Sequence, residues 1–464
     1  MSGHSQQYYL PIYFIVSVSK EPSCCVSEKA DEQLCYFGLY GTVVPNSMDK
    51  AGGESIEKEA LARVLLCPPV INAEAILVWK TVRQLEHYFD VEVISSSLQA
   101  YDRVDEQMTW SSAVAVARKH AHLPQGAFTR KAGERAMGLI ADEQYLWAVL
   151  GKVNPSTCDV IYSRSHPGAS HIAAYRIKRK LHKPWVAQFS DPWANNPYHK
   201  NHTLMRKTMD SRWERLVVEN ADVLIFPTEE IADMYRQAYA SFGVSAKSVV
   251  LPHHYTPELY PEMPSRDTAV IASTRDMESE NRQQAPHVSF AYFGDFYGLR
   301  SPLPFLEALR LLDRESPDVL HRMTVSFYGN IASKFSSLVQ ASPIPIVTDK
   351  VSYLESLKRM AKTDVLLLID APSMTGTNPF LASKVIDYLG AGRPIIGITD
   401  PKGTSPAILR QYGHDVIRPD DIKGIAQTVE RRITESNISL TPPSEFTTQH
   451  VIGQLASIMK DLIH

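Results

Sequence analysis

No apolar run in this 464-residue chain approaches the ~20 residues needed to span a bilayer. Cysteine is scarce. Cys24, Cys25, Cys35, Cys67 and Cys158 form no Cys-x-x-Cys pair, and none has a His at zinc spacing. Reduced thiols in a cytosolic compartment are the simple reading, with no metal site. Charge of either sign is not in excess. A formal net charge of −3 argues against a dedicated nucleic-acid binder. There is no Asp-x-Asp to hold a metal–nucleotide complex, no Gly-x-Gly-x-x-Gly and no Walker loop. Tyr8–Val18 is apolar, but no Lys or Arg precedes it and no clear cleavage site follows, so it makes a poor signal peptide. The sequons at Asn201 and Asn437 then carry little weight. A cytoplasmic location is expected, with peripheral contact at the inner face of the membrane left open.

What is present is a globular composition, with 44% hydrophobic and 21% charged residues, at a length that allows two or three full cores. Residues 1–60 have no steady period and read as an atypical extension: an added strand or hairpin, or translation upstream of a later start such as Met48. From Arg63 a pattern sets in: strand Arg63–Cys67, helix Glu74–Tyr88, strand Val91–Ser95. Strands at Val160–Ser163, Trp185–Phe189, Val223–Pro227 and Val249–Leu251 follow, with helices at Ser170–Leu181 and His202–Asn220 between them. Strands alternating with helices imply a parallel, doubly wound sheet. Residues 263–287, polar and broken by Pro, read as a linker. A second series then runs Ser289–Phe293, Thr324–Tyr328, Pro345–Val347, Val365–Ile369, Ile395–Ile398 and Val416–Ile417. The chain therefore divides into 1–60, 61–262, 263–287 and 288–464. The fold class is α/β, with two Rossmann-like domains suited to a ligand cleft.

The stretch from Asn378 to Gly397 carries the most chemistry. Asn378 is a good N-cap and Pro379 suits a first helical position. Gly390 and Gly392 end the helix and Pro394 blocks its continuation. A helix that begins where a parallel strand ends points N–H groups above the sheet, a natural phosphate site. Lys384 and Asp387 lie three apart and share a face. One can meet an anion and the other a sugar hydroxyl. Read blandly, the two are a solvated pair on an ordinary helix. Tyr292-Phe-Gly-Asp-Phe-Tyr-Gly-Leu-Arg300 follows the first strand of the second series. Gly294 and Gly298 permit close backbone approach, and Arg300 can clamp a diphosphate.

In the first series, Cys158-Asp-Val-Ile-Tyr-Ser-Arg-Ser-His-Pro-Gly-Ala-Ser-His171 puts His166 in a loop after a strand, where ligands bind. Trp185-Val-Ala-Gln-Phe-Ser-Asp-Pro-Trp-Ala-Asn-Asn196 ends a buried strand at Ser190-Asp191. As a turn residue Asp191 would be unremarkable. His253-His254 reads as a core or hinge contact. Arg176–Lys183 carries five basic residues and no acid. A solvated face is the default, and contact with anionic lipid, at ~1 kcal/mol per residue, is the other reading.

These phrases together resemble the retaining glycosyltransferases of the GT-B fold, especially family four, from about Arg63 onward. The Lys384 helix with its Gly-x-Pro exit is similar to the family's donor-binding element. The Arg300 loop looks like its Gly-Arg loop without the usual following Lys-Gly. Asp191 matches an acid that the family places in this phrase, with Ser190 replacing its basic neighbour. The resemblance implies two Rossmann-like domains facing across a cleft and a nucleotide diphosphate sugar held mainly by the second. Arg300 and Lys384 would neutralise the diphosphate, helped by Gly294, Gly298 and the amides near Asn378, Pro379, Phe380 and Leu381. Asp387 would hold the ribose, and Asp191 and His166 would face the acceptor. It further implies retention of configuration, a glycan or lipid-linked acceptor, a role in surface polysaccharide or glycoconjugate synthesis, and no bound metal or other cofactor. One departure matters. Aligning the second acid of the family's Glu-x7-Glu pattern with Asp387 puts Pro379 at the first. A nucleotide-sugar epimerase of the same fold and a catalytically silent binding protein remain as alternatives.

Overall fold

The computed structural model describes residues 14–15, 61–66, 73–95, 113–115, 158–165, 168–194, 196, 204–261, 287–373, 377–435 and 438–464. His166, residues 263–286 and all of 1–60 except Phe14–Ile15 lie outside them.

Sixteen strands occur among the described residues. They are β1 (Phe14–Ile15), β2 (Leu61–Leu66), β3 (Asp90–Ser95), β4 (Ala113–Ala115), β5 (Val160–Ser165), β6 (Trp185–Phe189), β7 (Val223–Phe226), β8 (Ser248–Val250), β9 (Val288–Phe293), β10 (Met323–Tyr328), β11 (Ile346–Asp349), β12 (Val365–Ile369), β13 (Thr377–Asn378), β14 (Ile395–Ile398), β15 (Lys402–Gly403) and β16 (Asp415–Ile417). Fourteen of them build two doubly wound sheets, as the alternation of strand and helix patterns predicts, and β13 and β15 pair in a separate two-stranded ladder. The first has the order β4-β3-β2-β5-β6-β7-β8, with β1 pairing on β2; the second runs β11-β10-β9-β12-β14-β16. Every pairing is parallel except β1 with β2.

The local chemistry explains the strands. β12 and β14 are continuous apolar runs and β6 is apolar except for Gln188; all three are buried throughout, as strands covered on both faces require. In the first sheet, Trp185, Phe189 and Phe226 pack under helices on one face. Val93, Val160 and Val186 pack on the other, against the Ala73–Leu85 helix. Burying each large side chain of this kind contributes ~1.5–3 kcal/mol. The last helix, Thr448–Asp461, has its N-cap at Thr447, whose side chain accepts from the His450 N–H. Its Val451, Leu455 and Met459 lie in the core of the first sheet, beside Val78, Val82 and Leu85.

One boundary differs from the expectation. Asn378 does not cap the helix that carries Lys384, and Pro379 is not its first residue. The helix runs Ser383–Gly390, with Ala382 at the N-cap and no side-chain cap. Two local contacts compete with helix. Asn378 pairs with Gly403 in a two-residue parallel ladder, and its Oδ1 accepts from the Phe380 N–H at 3.0 Å. Asn does this readily, trading a helical cap for a turn. The helix ends as its glycines predict, with Gly392 at φ +64°. Among the described residues no helix is long and apolar enough to cross a membrane.

Candidate functional site

In each sheet the chain winds outward in one direction, returns to the centre and winds out the other way. The reversal falls between β2 and β5 in the first sheet and between β9 and β12 in the second. Loops diverge from such a point and leave a crevice at the carboxyl ends of the strands.

In the second sheet this crevice holds the predicted cations. β9 runs into Gly294, at φ +139°. Lys384, in the first turn of the Ser383–Gly390 helix, reaches back over it. Its Nζ donates to the Tyr292 hydroxyl at 3.0 Å and lies 4.4 Å from the centre of that ring. Arg300 donates from Nη2 to Asp370 Oδ1 at 3.2 Å and rests over Tyr297. Asp370 stands one residue past β12 and is buried. Its Oδ2 has no hydrogen-bond partner among the described residues. Burial, reinforced by the Arg300 charge, pushes the Lys384 ammonium down to about 7, against the pull of Asp370 and Asp295. The loop is held from below. Asp295 accepts from the Asn330 N–H at 2.7 Å, and Lys334 donates to the Gly298 carbonyl at 2.6 Å. Gly329 must be glycine, because a Cβ there would stand 2.1 Å from the Gly294 carbonyl oxygen.

Asp387 lies on the same helix as Lys384 but faces elsewhere. Its Oδ1 accepts from Lys80 Nζ at 3.1 Å and from the Tyr353 hydroxyl at 3.1 Å. Lys80 comes from the Ala73–Leu85 helix of the first unit and also donates to the His254 carbonyl at 2.6 Å. The carboxylate assigned to a ribose thus forms a buried ion pair between the units. Thr228 donates to the Pro379 carbonyl across the same seam at 2.9 Å, and the Thr404 hydroxyl bonds Glu230. Phe380 and Leu381 belong to this seam; Leu381 is buried and Phe380 partly so. His254, buried, bridges Thr81 and Thr448 through its two ring nitrogens, at 3.1 and 2.9 Å, and so ties together two helices that pack on the first sheet.

At the first sheet, Asp191 follows β6 by two residues. Burial pushes its carboxyl up to about 6. Its loop is fixed by a residue the sequence patterns did not single out. Glu214, on the Leu204–Asn220 helix, accepts from the Trp193 N–H, the Ala194 N–H, the Tyr235 hydroxyl and the Tyr239 hydroxyl at 2.6–3.1 Å. Burial still pushes the Glu214 carboxyl up. The Trp193 ring packs on Gly168, where a Cβ would approach it to 2.2 Å. Arg164, also missed, is the penultimate residue of β5 and donates from Nε to Glu74 at 2.5 Å. A charged residue near the end of an otherwise uncharged buried strand was its available signal, and Asp370, just after β12, gave a similar one.

Several buried polar atoms lack hydrogen-bond partners among the described residues. In the first unit they include Arg164 Nη2, Ser165 Oγ, Ser190 Oγ and His253 Nδ1. In the second they include Asp370 Oδ2, Ser373 Oγ and Thr399 Oγ1. Six of the seven sit at or beyond the carboxyl ends of β5, β6, β12 and β14, and the seventh, on His253, follows the edge strand β8. Orphaned groups at such positions are unusual, and water or a ligand can complete their bonding. No group of three or more His, Cys, Asp or Glu among the described residues is placed to hold a metal ion.

Taken together, the fold and these crevices define an α/β protein of two Rossmann-like units with polar groups gathered at both switch points. Solved structures similar to it include sucrose-phosphate synthase from Thermosynechococcus elongatus (12% identity, 75% of this chain and 83% of that one, TM-score 0.48). Anabaena Alr3699/HepE in complex with UDP and glucose is similar at 12% identity over 85% of this chain and 94% of that one, TM-score 0.48. A UDP-forming trehalose-phosphate synthase from Burkholderia xenovorans is similar at 10% identity over 71% and 80%, TM-score 0.46. No protein-family model and no curated protein sequence matches the chain.

Proposed function

We propose that the protein is a glycosyltransferase of GT-B type that moves a sugar from a nucleotide diphosphate sugar to a glycan or lipid-linked acceptor. The observation that carries this reading is the pair of switch points lined with unsatisfied polar atoms, one of them holding two cations above a glycine loop. Arg300 and Lys384 would meet the diphosphate, with Gly294 and Gly298 letting it approach the backbone. Two cations in a partly dry crevice can stabilise charge that builds on a leaving diphosphate, and metal-free turnover follows from that role. Asp387 would reach a ribose only by exchanging its bond to Lys80 or sharing its other oxygen. Asp191 and His166 would face the acceptor, as the sequence resemblance implies. Retention of configuration, a role in surface polysaccharide or glycoconjugate synthesis and a cytoplasmic site of action follow from the sequence resemblance and belong to the same proposal.

Contact with an anionic membrane through Arg176–Lys183 is the weakest element. Lys178 is already paired with Asp222 at 2.5 Å and Lys183 with Asp159 at 3.8 Å. Arg179 and Lys180 are exposed and Arg176 is half-buried.

Incubation with uridine and guanosine diphosphate sugars, with and without a chelator, tests the reading. Transfer or slow hydrolysis that survives chelation is expected. Formation of an epimer would make the protein an isomerase, and binding without turnover would make it a silent receptor. Absence of both binding and turnover would refute a nucleotide-sugar site.

A further inference from the structure

The crevice of the first sheet differs in kind from that of the second. Arg164 is 1% exposed and His253 5%. Arg164 Nη2, His253 Nδ1 and Ser190 Oγ have no partner among the described residues. The sheet register sets Arg164 beside Gln188, and Ser190 lies two residues further along that strand's path. His253 follows β8 and stands close enough to feel the Arg164 charge. Burial first, then Arg164 and Lys80, push its imidazole down to about 3. His254 is driven down by the same causes.

The charges in this crevice cancel. Arg164 is matched by Glu74 and Lys80 by Asp387, while both histidines are neutral. A phosphate or carboxylate entering here would lose its water and find no uncompensated cation, which is costly. A hydroxyl group can donate and accept at once. An arginine N–H, a serine hydroxyl and a neutral imidazole offer the complementary donors and acceptors. Asp191 is the next residue after Ser190 in the same loop.

On the reading of the function given above, we propose that Arg164, Ser190 and His253 form a subsite for the hydroxyls of an uncharged sugar ring, so that the acceptor presents a neutral glycan residue and not a sugar phosphate.

Methyl glycosides of glucose, galactose and mannose, and the matching sugar 6-phosphates, titrated into the full chain with UDP and GDP as parallel ligands, test this. At least one methyl glycoside should bind, and its 6-phosphate about tenfold more weakly or not at all. Ser190→Ala and His253→Gln should each weaken glycoside binding about fivefold, the worth of one hydrogen bond, and leave UDP or GDP affinity unchanged. Ser190→Ala removes an oxygen with no internal partner, so its melting temperature should match the parent. Tighter binding of a 6-phosphate, glycoside affinity indifferent to both substitutions, or no glycoside binding at all would overturn the subsite, whatever the nucleotides do. Failure of UDP and GDP to bind overturns the transferase reading, whatever the glycosides do.

Discussion

Lys384 holds its Nζ 2.6 Å from the point where a Cβ on Gly294 would stand. A glycine and a partly buried ammonium therefore share one small space at the carboxyl end of β9. The contact is possible only because the glycine has no side chain, and it aims the charge into the crevice.

A pH dependence follows. With its pKa near 7, Lys384 is partly neutral in the empty protein at neutral pH, and a diphosphate would favour the charged form. Nucleotide affinity should be steady below pH 7 and fall above it by up to about tenfold per unit. Binding near pH 8 should take up a proton, measurable by calorimetry in buffers of different ionisation enthalpy. Stability runs the other way. The folded pKa lies below the ordinary 10.5, so the unfolded chain binds more protons between about 7 and 10.5. Lys384's contribution to stability therefore rises with pH through that window. Lys384→Met should remove both slopes, weaken nucleotide binding by ~1.5–3 kcal/mol and leave the fold as stable or more so. An unchanged affinity would remove Lys384 from the site.

Two glycines of one loop should separate contact from backbone strain. Gly294 and Gly298 both have positive φ, +139° and +56°. A Cβ at Gly298 would have nothing within 4 Å, whereas one at Gly294 would strike Lys384. Gly298→Ala should cost ~1 kcal/mol of stability and little affinity. Gly294→Ala should cost ~1–3 kcal/mol and at least tenfold in nucleotide affinity, because the lysine is displaced. Equal effects of the two on affinity would show that the lysine's position does not matter.

The Lys80–Asp387 pair joins residues 307 apart in the chain. Its side chains are 1% and 8% exposed. Removing one partner leaves a buried charge unmatched, so Lys80→Met and Asp387→Leu should each destabilise by ~3–5 kcal/mol. The double variant should lose less than either single, giving a coupling energy above ~1 kcal/mol in a double-mutant cycle. Additive losses in urea titrations would mean that the pair does not hold the units together.

Glu214 accepts four hydrogen bonds beneath Asp191. Glu214→Gln replaces an acceptor with a donor facing other donors and should destabilise by roughly 2–4 kcal/mol. Asp191→Asn should keep both stability and nucleotide affinity while lowering transfer, and should erase a titration near pH 6 in the rate profile. Loss of nucleotide binding in Asp191→Asn would place that residue on the donor side.

The sheets were legible in the sequence to within about two residues at most strand ends. Apolar runs such as Val365–Ile369 and Trp185–Phe189 are bounded by polar or turn-forming residues that leave little choice. The helix that carries Lys384 was misplaced at its start because Asn378 satisfies two rules at once, cap and turn, and only the ladder to Gly403 decides between them. Lys384, Arg300 and Gly294 were found because they punctuate strand–helix junctions. Lys80, Arg164 and Glu214 were not, since their partners are remote in the chain and hydrophobic periodicity carries no sign of a salt bridge between helices. Nor could spacing show that Asp387 turns away from Lys384, because that depends on a lysine of the other unit.

The helix Thr448–Asp461 closes the core of the first unit although the chain reaches it only after the whole second sheet. The second unit is therefore an insertion in the first. During synthesis Val78, Val82, Leu85 and Leu251 must wait for Val451, Leu455 and Met459. At ordinary elongation rates that delay is on the order of tens of seconds. For that time the nascent first unit carries an open apolar groove, while all the strands of the second sheet have already been made. The ribosome thus delivers the two halves in reverse order of completion. A holding chaperone would find its handle on the half that was made first.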